Sequence, residues 1–335
     1  MLLRCIAVLL GVAALAGCHD APMGYLRTHG PAADPIASLG WGLTLICCLV
    51  VVIIGVLVLL ATLRARAEPA PFLNDSISRA AGGLRWIYIG TGLSTLILLG
   101  LVTWTMFTLA AVASAPQAPA FTIEIRAHQW WWEARYIDGR SDRTFLTANE
   151  LHVPVGQPVQ LRLIGDDVIH SFWIPALAGK TDVIPGQTNM AWIEANQAGT
   201  YRGQCTEYCG VQHAHMSEFV IAQSQSEFDD WWTHQLTDAS APTAESAQKG
   251  ELVFLDRCAA CHTVRGTGAG GIVGPELTHL MSRHTLGAGT LPNEPQSLAR
   301  WITNAQQAKP GCRMPTLDLS RDELTAVSAY VQTLN

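Results

Sequence analysis

The chain is 335 residues long, 49% hydrophobic and only 14% charged, too apolar for one ordinary soluble globule or for a disordered protein. At about 150 residues per domain, the length allows roughly two folded units plus additional segments. The net charge of −6, a pI near 6.0 and the lack of any Lys/Arg cluster argue against nucleic-acid binding, which needs a basic face. The 9 cysteines are too few and too unevenly spaced for a disulfide scaffold, and those of the water-soluble part lie beside His and Met. Metal or cofactor chemistry is therefore the first expectation.

The apolar excess is concentrated in the first third of the chain. Residues 1–17 read as a signal peptide, with Arg4 before a short apolar run. They end in Leu15-Ala16-Gly17 before Cys18, which resembles a bacterial lipoprotein box in which Cys18 becomes the acylated N-terminus. A short external segment, 18–38, follows. Residues 39–113 then hold two membrane helices, about 39–63 and 86–113, each free of charge and long enough for a hydrocarbon core of about 30 Å. The connector carries Arg64, Arg66, Arg79 and Arg85 against Glu68 and Asp75, which places it in the cytoplasm and both chain ends outside. Cys47 and Cys48 lie in the first span with no polar company and read as small apolar residues.

Beyond Pro116 and Pro119 the pattern becomes strands, with alternation around Ile123 and again around Leu161. Short strands broken by Gly and Pro through about Ala222 predict a β-sandwich or barrel over residues 120–225. A polar stretch, 237–248, reads as a linker. From 249 to 335 helical spacing takes over, as around Leu298 and from Leu324 to Leu334.

Cys258-Ala259-Ala260-Cys261-His262 has the spacing that attaches c-type haem: two thioether bonds from Cys258 and Cys261, and the His262 imidazole on the iron. No second Cys pair completes a zinc site and no thioredoxin-like pattern surrounds the motif. Met314 is the expected sixth ligand, since a Met/His pair suits electron transfer; Met281, His279 and His284 are the alternatives. Gly274-Pro275 is expected to supply the carbonyl that orients the His262 ring. Cys312 has no assigned role.

A second cluster lies within residues 205–216, where Cys205, Glu207, Cys209, His213, His215 and Met216 fall close together, with His170 at an earlier strand end. Thiolate, imidazole and thioether donors favour a soft ion. Two bridging thiolates could hold two coppers, while a tetrahedral zinc site of Cys205, Cys209, His213 and His170 is open to the same residue types. Met216 tips the choice to copper, and His215 reads as a plain surface or packing histidine.

These residues, together with the two spans, the Trp130-Trp131-Trp132 block after His128-Gln129, and the segment from His170 to Lys180-Thr181-Asp182, resemble subunit II of the haem-copper cytochrome c oxidases. The fused haem domain is similar to that of the caa3-type members. The resemblance implies a multi-domain membrane protein: a two-helix transmembrane hairpin, an all-β cupredoxin-like Greek-key barrel and an all-α cytochrome c domain. It implies a binuclear copper centre, CuA, with Cys205 and Cys209 bridging, His170 and His213 terminal, and Met216 and the Glu207 carbonyl axial. The Glu207 carboxylate, supported by Asp182, would bind magnesium at the contact with the catalytic subunit, and Trp130 would mark where electrons enter.

The function so implied is electron input to a respiratory terminal oxidase, from cytochrome c through haem c and CuA to a separate haem-copper subunit I that reduces oxygen, with further oxidase subunits in the complex. The alternatives are the CuA subunit of a nitric oxide reductase, or a membrane-tethered electron carrier or copper protein; Lys180, Asp182, Glu207 and the Trp block argue against a stand-alone role. Residues 120–230 hold 14 acidic and 7 basic residues, whereas residues 248–335 hold 7 and 8. Complementary charge across the two domains, with the linker raising their effective concentration, is expected to hold them together. One departure is that no Asp or Glu occurs between Arg85 and Glu124, where many relatives have a carboxylate near a proton path.

Overall fold

A computed structural model describes residues 23–64 and 83–335. The expected signal peptide, Cys18 and most of the Arg-bearing connector lie outside the described residues. Two long helices, α1 (Asp34–Arg64) and α2 (Gly83–Val112), match the expected spans and reach somewhat beyond them at their N-terminal ends. Both are long and apolar enough to cross a membrane. Their large side chains, such as Leu49, Ile54, Leu96 and Phe107, are exposed, as a lipid-facing surface requires. The hairpin, residues 34–114, is a compact unit by itself.

The second unit contains the β-domain and the helical domain. Strands β1 (Thr122–His128), β2 (Trp131–Ile137), β3 (Phe145–Ala148), β4 (Glu150–Pro154) and β5 (Val159–Gly165) are followed by the short β6 (His170–Phe172) and β7 (Thr181–Val183). The remaining strands are β8 (Thr188–Ile193), β9 (Gly199–Gln204) and β10 (Ser217–Gln223). They form a five-stranded sheet, β3-β2-β1-β5-β8, a three-stranded sheet, β4-β10-β9, and a β6-β7 ribbon. The β1–β5 and β4–β10 pairs are parallel, so the chain crosses between strands instead of meandering. Alternation in β1 and β5 sends Ile123, Ile125, Leu161 and Leu163 inward, where they are fully buried.

Helix α3 (Gln225–Gln235) was not anticipated beyond the end of the strands. Its Ser224 and Glu227 form a reciprocal capping box. Its Phe228 and Trp232 close the barrel end against Phe121, Tyr136 and Phe145, with ring centroids 5.2 to 5.3 Å apart for Phe121–Phe228, Phe121–Trp232 and Phe145–Trp232. The N-terminal segment is also tied to the barrel: the His29 amide donates to Ala176 O (2.7 Å) and His29 O accepts from the Asn196 amide (2.7 Å).

The helical domain has α4 (Glu245–Arg257), α5 (Pro295–Thr303), the one-turn α6 (Ala305–Ala308) and α7 (Arg321–Val331). Its core, separate from that of the β-domain, centres on Phe254, Leu298, Val327 and Tyr330. Helix α4 starts inside the stretch expected to be a linker. The preceding residues are tied down as well, with the Ala239 amide donating to Arg265 O (3.1 Å) and Arg265 Nη2 donating to Thr237 O (3.1 Å). The free span between the two domains is thus shorter than composition alone implies.

Candidate metal centres

The loop between β9 and β10 is folded back on itself, because the Cys205 amide donates to Met216 O (3.0 Å) and the Thr206 amide to Ser171 O (3.1 Å). This brings the loop to the head of β6. Cys205 Sγ lies 3.9 Å from His170 Nδ1, 3.9 Å from Cys209 Sγ and 3.3 Å from Glu207 O. Cys209 Sγ lies 3.5 Å from His213 Nδ1 and 3.8 Å from Met216 Sδ. All six expected donors therefore converge, and both cysteines are buried free thiols. His215 stays apart, exposed and paired with Gln212 Oε1 at 2.6 Å.

Asp167 supplies the outer support. Its Oδ1 accepts from His170 Nε2 at 2.8 Å, which fixes the ring with Nδ1 toward the sulfurs, and its Oδ2 accepts from the Gln129 amide at 2.7 Å. Partial burial works against ionisation of Asp167, but hydrogen bonds from His170, Val168 and Gln129 outweigh it and hold its pKa at about 2. The hydrogen bond with Cys209, against the cost of burial and with help from His170, pulls Cys205 down to about 4, and the same contact pushes Cys209 up. The buried His170, Cys205 and Cys209, with His213, Met216 and the Glu207 carbonyl beside the sulfurs, fit a soft-metal centre.

Gly210 is required where it stands. Its φ is +117°, and a Cβ would sit 3.0 Å from the Trp130 ring. That close approach lets Trp130 Nε1 (2.9 Å) and Gln129 Nε2 (2.7 Å) both donate to Cys209 O. On the far side, the Glu207 carboxylate faces outward and pairs with Lys180 Nζ at 3.0 Å. Lys180 also reaches Asp182 at 3.6 Å, and Ser171 Oγ donates to Asp182 at 2.8 Å.

In the helical domain, α4 ends into the Cys258–His262 turn, where the Cys261 and His262 amides both donate to Cys258 O at 3.0 Å. His262 Nδ1 donates to Pro275 O at 2.8 Å, as expected, which leaves Nε2 for a metal. Gly274 makes this possible: a Cβ there would be 2.6 Å from His262 Cε1. Burial depresses the His262 pKa despite the Pro275 bond, so the imidazole is neutral, and burial first, then Cys261, raises Cys258 to about 11.

These residues line an apolar cavity with Leu280, Leu286, Leu298 and Met314. Met314 is on its wall, whereas Met281, His279 and His284 are not among its lining residues; His279 bonds Thr237 O (3.1 Å) and His284 Nδ1 bonds Glu150 (3.0 Å). Buried Arg283 also lines it, donates from Nη2 to Glu276 O (2.7 Å), and has no partner for Nε. A buried cation in an apolar wall fits a propionate-bearing porphyrin. Gln306 Nε2 fixes the distal loop by donating to Cys312 O and Met314 O, each at 2.7 Å. Cys312 thus belongs to that loop's framework.

The cavity is also walled by Trp130 and Trp131 of the β-domain. Trp130 therefore spans from the Cys209 carbonyl to the cavity wall. Sequence points to the Gly274-Pro275 turn, but Asp167, Arg283 and Gly210 carry no such signal. Their roles depend on what the fold places beside them.

Two family models match the chain: cytochrome c oxidase subunit II, periplasmic domain, over residues 137–224, and cytochrome c over residues 247–335. Cytochrome c oxidase subunit 2 of Alkalihalophilus pseudofirmus is 32% identical over 330 residues, covering 96% of this chain and 93% of that one. The subunit 2 of Bacillus subtilis is 28% identical over 341 residues, covering 96% and 94%. The crystal structure of the periplasmic domain of subunit II from Bradyrhizobium japonicum is 30% identical, covering 36% of this chain and 96% of that one, with a TM-score of 0.34. The near-complete coverage of relatives that carry the subunit 2 name, together with the second match over the C-terminal domain, places the chain in the cytochrome c oxidase subunit 2 family, as a member with a fused cytochrome c domain.

Proposed function

We propose that His170, Cys205, Cys209, His213, Met216 and the Glu207 carbonyl would hold the CuA pair, and that Cys258 and Cys261 would bind haem covalently with His262 and Met314 as the residues that hold its iron. As subunit II of a membrane-anchored haem-copper oxidase, the chain takes in electrons for the catalytic subunit. When bound, the two groups supply one-electron redox chemistry, drawing on cytochrome c. In this reading both Cys205 and Cys209 would hold the copper pair, so losing either would dissolve it, whereas losing Met216 would only tune it. Asp167 holds His170 in one tautomer, and Gly274 with Pro275 does the same for His262. The sheet core around Trp132 and Phe172 excludes water from the sulfurs and keeps their positions fixed. Trp130 is the side chain through which the haem side meets the copper side.

We place the Glu207 carboxylate, with Asp182, at the contact with subunit I, where it offers one ligand to a magnesium ion completed by that subunit; Lys180 holds the carboxylate outward until then. Both soluble domains and the N-terminal segment, anchored by an acylated Cys18, are on the outer face of the cell membrane, and the connector is cytoplasmic.

The observation that carries this reading is the approach of His170, His213, Met216 and the Glu207 carbonyl to two cysteine sulfurs 3.9 Å apart. The test is metal analysis and electron-spin resonance of protein matured with copper. Two coppers per chain, with hyperfine structure shared over both nuclei, are expected. Cys209→Ser is expected to abolish the shared signal, and Met216→Leu to keep both coppers with an altered potential. One zinc and no copper would overturn the assignment.

A further inference from the structure

Lys309 sits on the loop between α6 and Met314, yet it is only 2% exposed. Its ammonium donates to three main-chain carbonyls: Trp130 O at 2.7 Å, His215 O at 2.6 Å and Gly287 O at 2.7 Å. An ammonium has three N–H donors, so every one is used and none is left for solvent. Burial pulls Lys309 down to about 7, with Cys312 and Cys209 opposing; three carbonyl acceptors fit the protonated form. Such a fully desolvated charge is tolerated only where its partners are fixed, because a displaced partner leaves a buried polar group unmade.

The choice of partners is informative. Gly287 belongs to the helical domain, but Trp130 and His215 belong to the β-domain, and both are beside the sulfur cluster. Trp130 donates its indole N–H to Cys209 O, and His215 lies between His213 and Met216. The surrounding seam is completed by Ser217 N donating to Ala288 O (3.1 Å) and by buried Glu150, which accepts from the His284 amide (2.7 Å) and the Thr285 amide (3.0 Å). Arg313, next to Met314, reaches Asp167 at 3.6 Å, but more than half of its side chain is exposed and the pair is open to salt.

We infer that Lys309 is the positioning residue that latches the haem domain onto the copper domain, fixing the Met314 loop against Trp130 and the residues 205–216 loop. The two centres are then kept in one relative geometry without a search by a tethered domain. The docking part of this inference stands on the contacts alone; its consequence for electron transfer rests on the ligand assignments proposed above.

The test uses the intact purified oxidase. Three amides cross the seam, those of Ser217, His284 and Thr285, so their hydrogen exchange reports docking directly. Lys309→Met, which keeps the aliphatic stem and removes the donors, is expected to speed exchange at all three by about tenfold while Val220, inside the β9–β10 ladder, is unchanged. Haem attachment and copper content stay as in wild type, whereas photoinduced electron transfer from haem to copper slows by a similar factor. Unchanged exchange at the three amides would overturn the latch, and altered copper or haem content would point to the ligand assignments instead. Should the variant fail to assemble, wild type decides. A buried latch keeps seam exchange constant from low salt to about 1 M, whereas a seam held by exposed pairs opens as salt rises, which would equally overturn the inference.

Discussion

The β-domain and the helical domain prepare for their cofactors in opposite ways. In the β-domain, large rigid side chains, Trp132, Tyr136 and Trp232 among them, fill the interior, and the donors hang on one loop pinned to that finished core. In the helical domain the smaller core of Phe254, Leu298, Val327 and Tyr330 is wrapped around the cavity that His262 and Met314 face. A sheet core of this kind holds its ligand geometry before metal arrives. The helical domain instead leaves a cavity within its core, which a bound haem would fill.

The largest effect expected from breaking this contrast follows from Cys258→Ala with Cys261→Ala. Covalent haem should vanish from the denatured protein on a haem-stained gel. Differential calorimetry should lose one cooperative transition while the transition of the β-domain survives, because the two cores are separate. Loss of both transitions together would mean that the domains fold as one unit. A smaller effect, confined to the other side, is expected of Trp132→Ala. This side chain is 1% exposed and meets Phe172 edge-on at 5.5 Å and His170 at 6.0 Å. Removing it should cost the β-domain about 3–5 kcal/mol in denaturant titration and leave the haem stain intact.

The same contrast explains what could be read in advance. The metal loop and the haem motif are short in sequence, so residue spacing alone exposed Cys205, Cys209, His213, Met216, Cys258, Cys261 and His262. The spans were legible because lipid imposes a length and a composition. The Trp block was ambiguous because strand alternation had to be known to separate its members: Trp132 enters the core, Trp131 stacks on His128 with ring centroids 4.4 Å apart, and Trp130 bridges the two sites. Helix α3 carries a local signal, the Ser224–Glu227 box ahead of Phe228 and Trp232. Asp167 and Lys309 carried none. A lone Asp or Lys reads as solvated surface until the fold sets His170 against the first and three carbonyls around the second. The expected charge complementarity appears in the partly exposed Asp167–Arg313 pair, yet a fully buried contact of the seam is a cation on carbonyls, which no count of charges reveals.

The finest prediction concerns acid stability, and it separates the preformed core from its neighbour by pH instead of by mutation of a ligand. His152 on β4 is 8% exposed, lies flat against Trp231 with centroids 4.1 Å apart, and meets Gln223 Oε1 at 2.7 Å. Burial lowers its pKa to about 4, against the Gln223 hydrogen bond and with a small further push from His284. In the unfolded chain the value returns to about 6.5. Because the folded value is depressed, the unfolded state binds the extra proton between these limits. The stabilisation is therefore present above about pH 6.5 and is lost as the pH falls from there through about 4, in total about 3 kcal/mol. Denaturant titration of the β-domain transition at pH 7 and at pH 4.5 should show most of that loss. His152→Phe preserves the stack on Trp231 and cannot titrate, so its stability should change with pH by correspondingly less. Equal acid sensitivity in wild type and His152→Phe would move the origin of the effect away from β4, to the other buried histidines of the two domains.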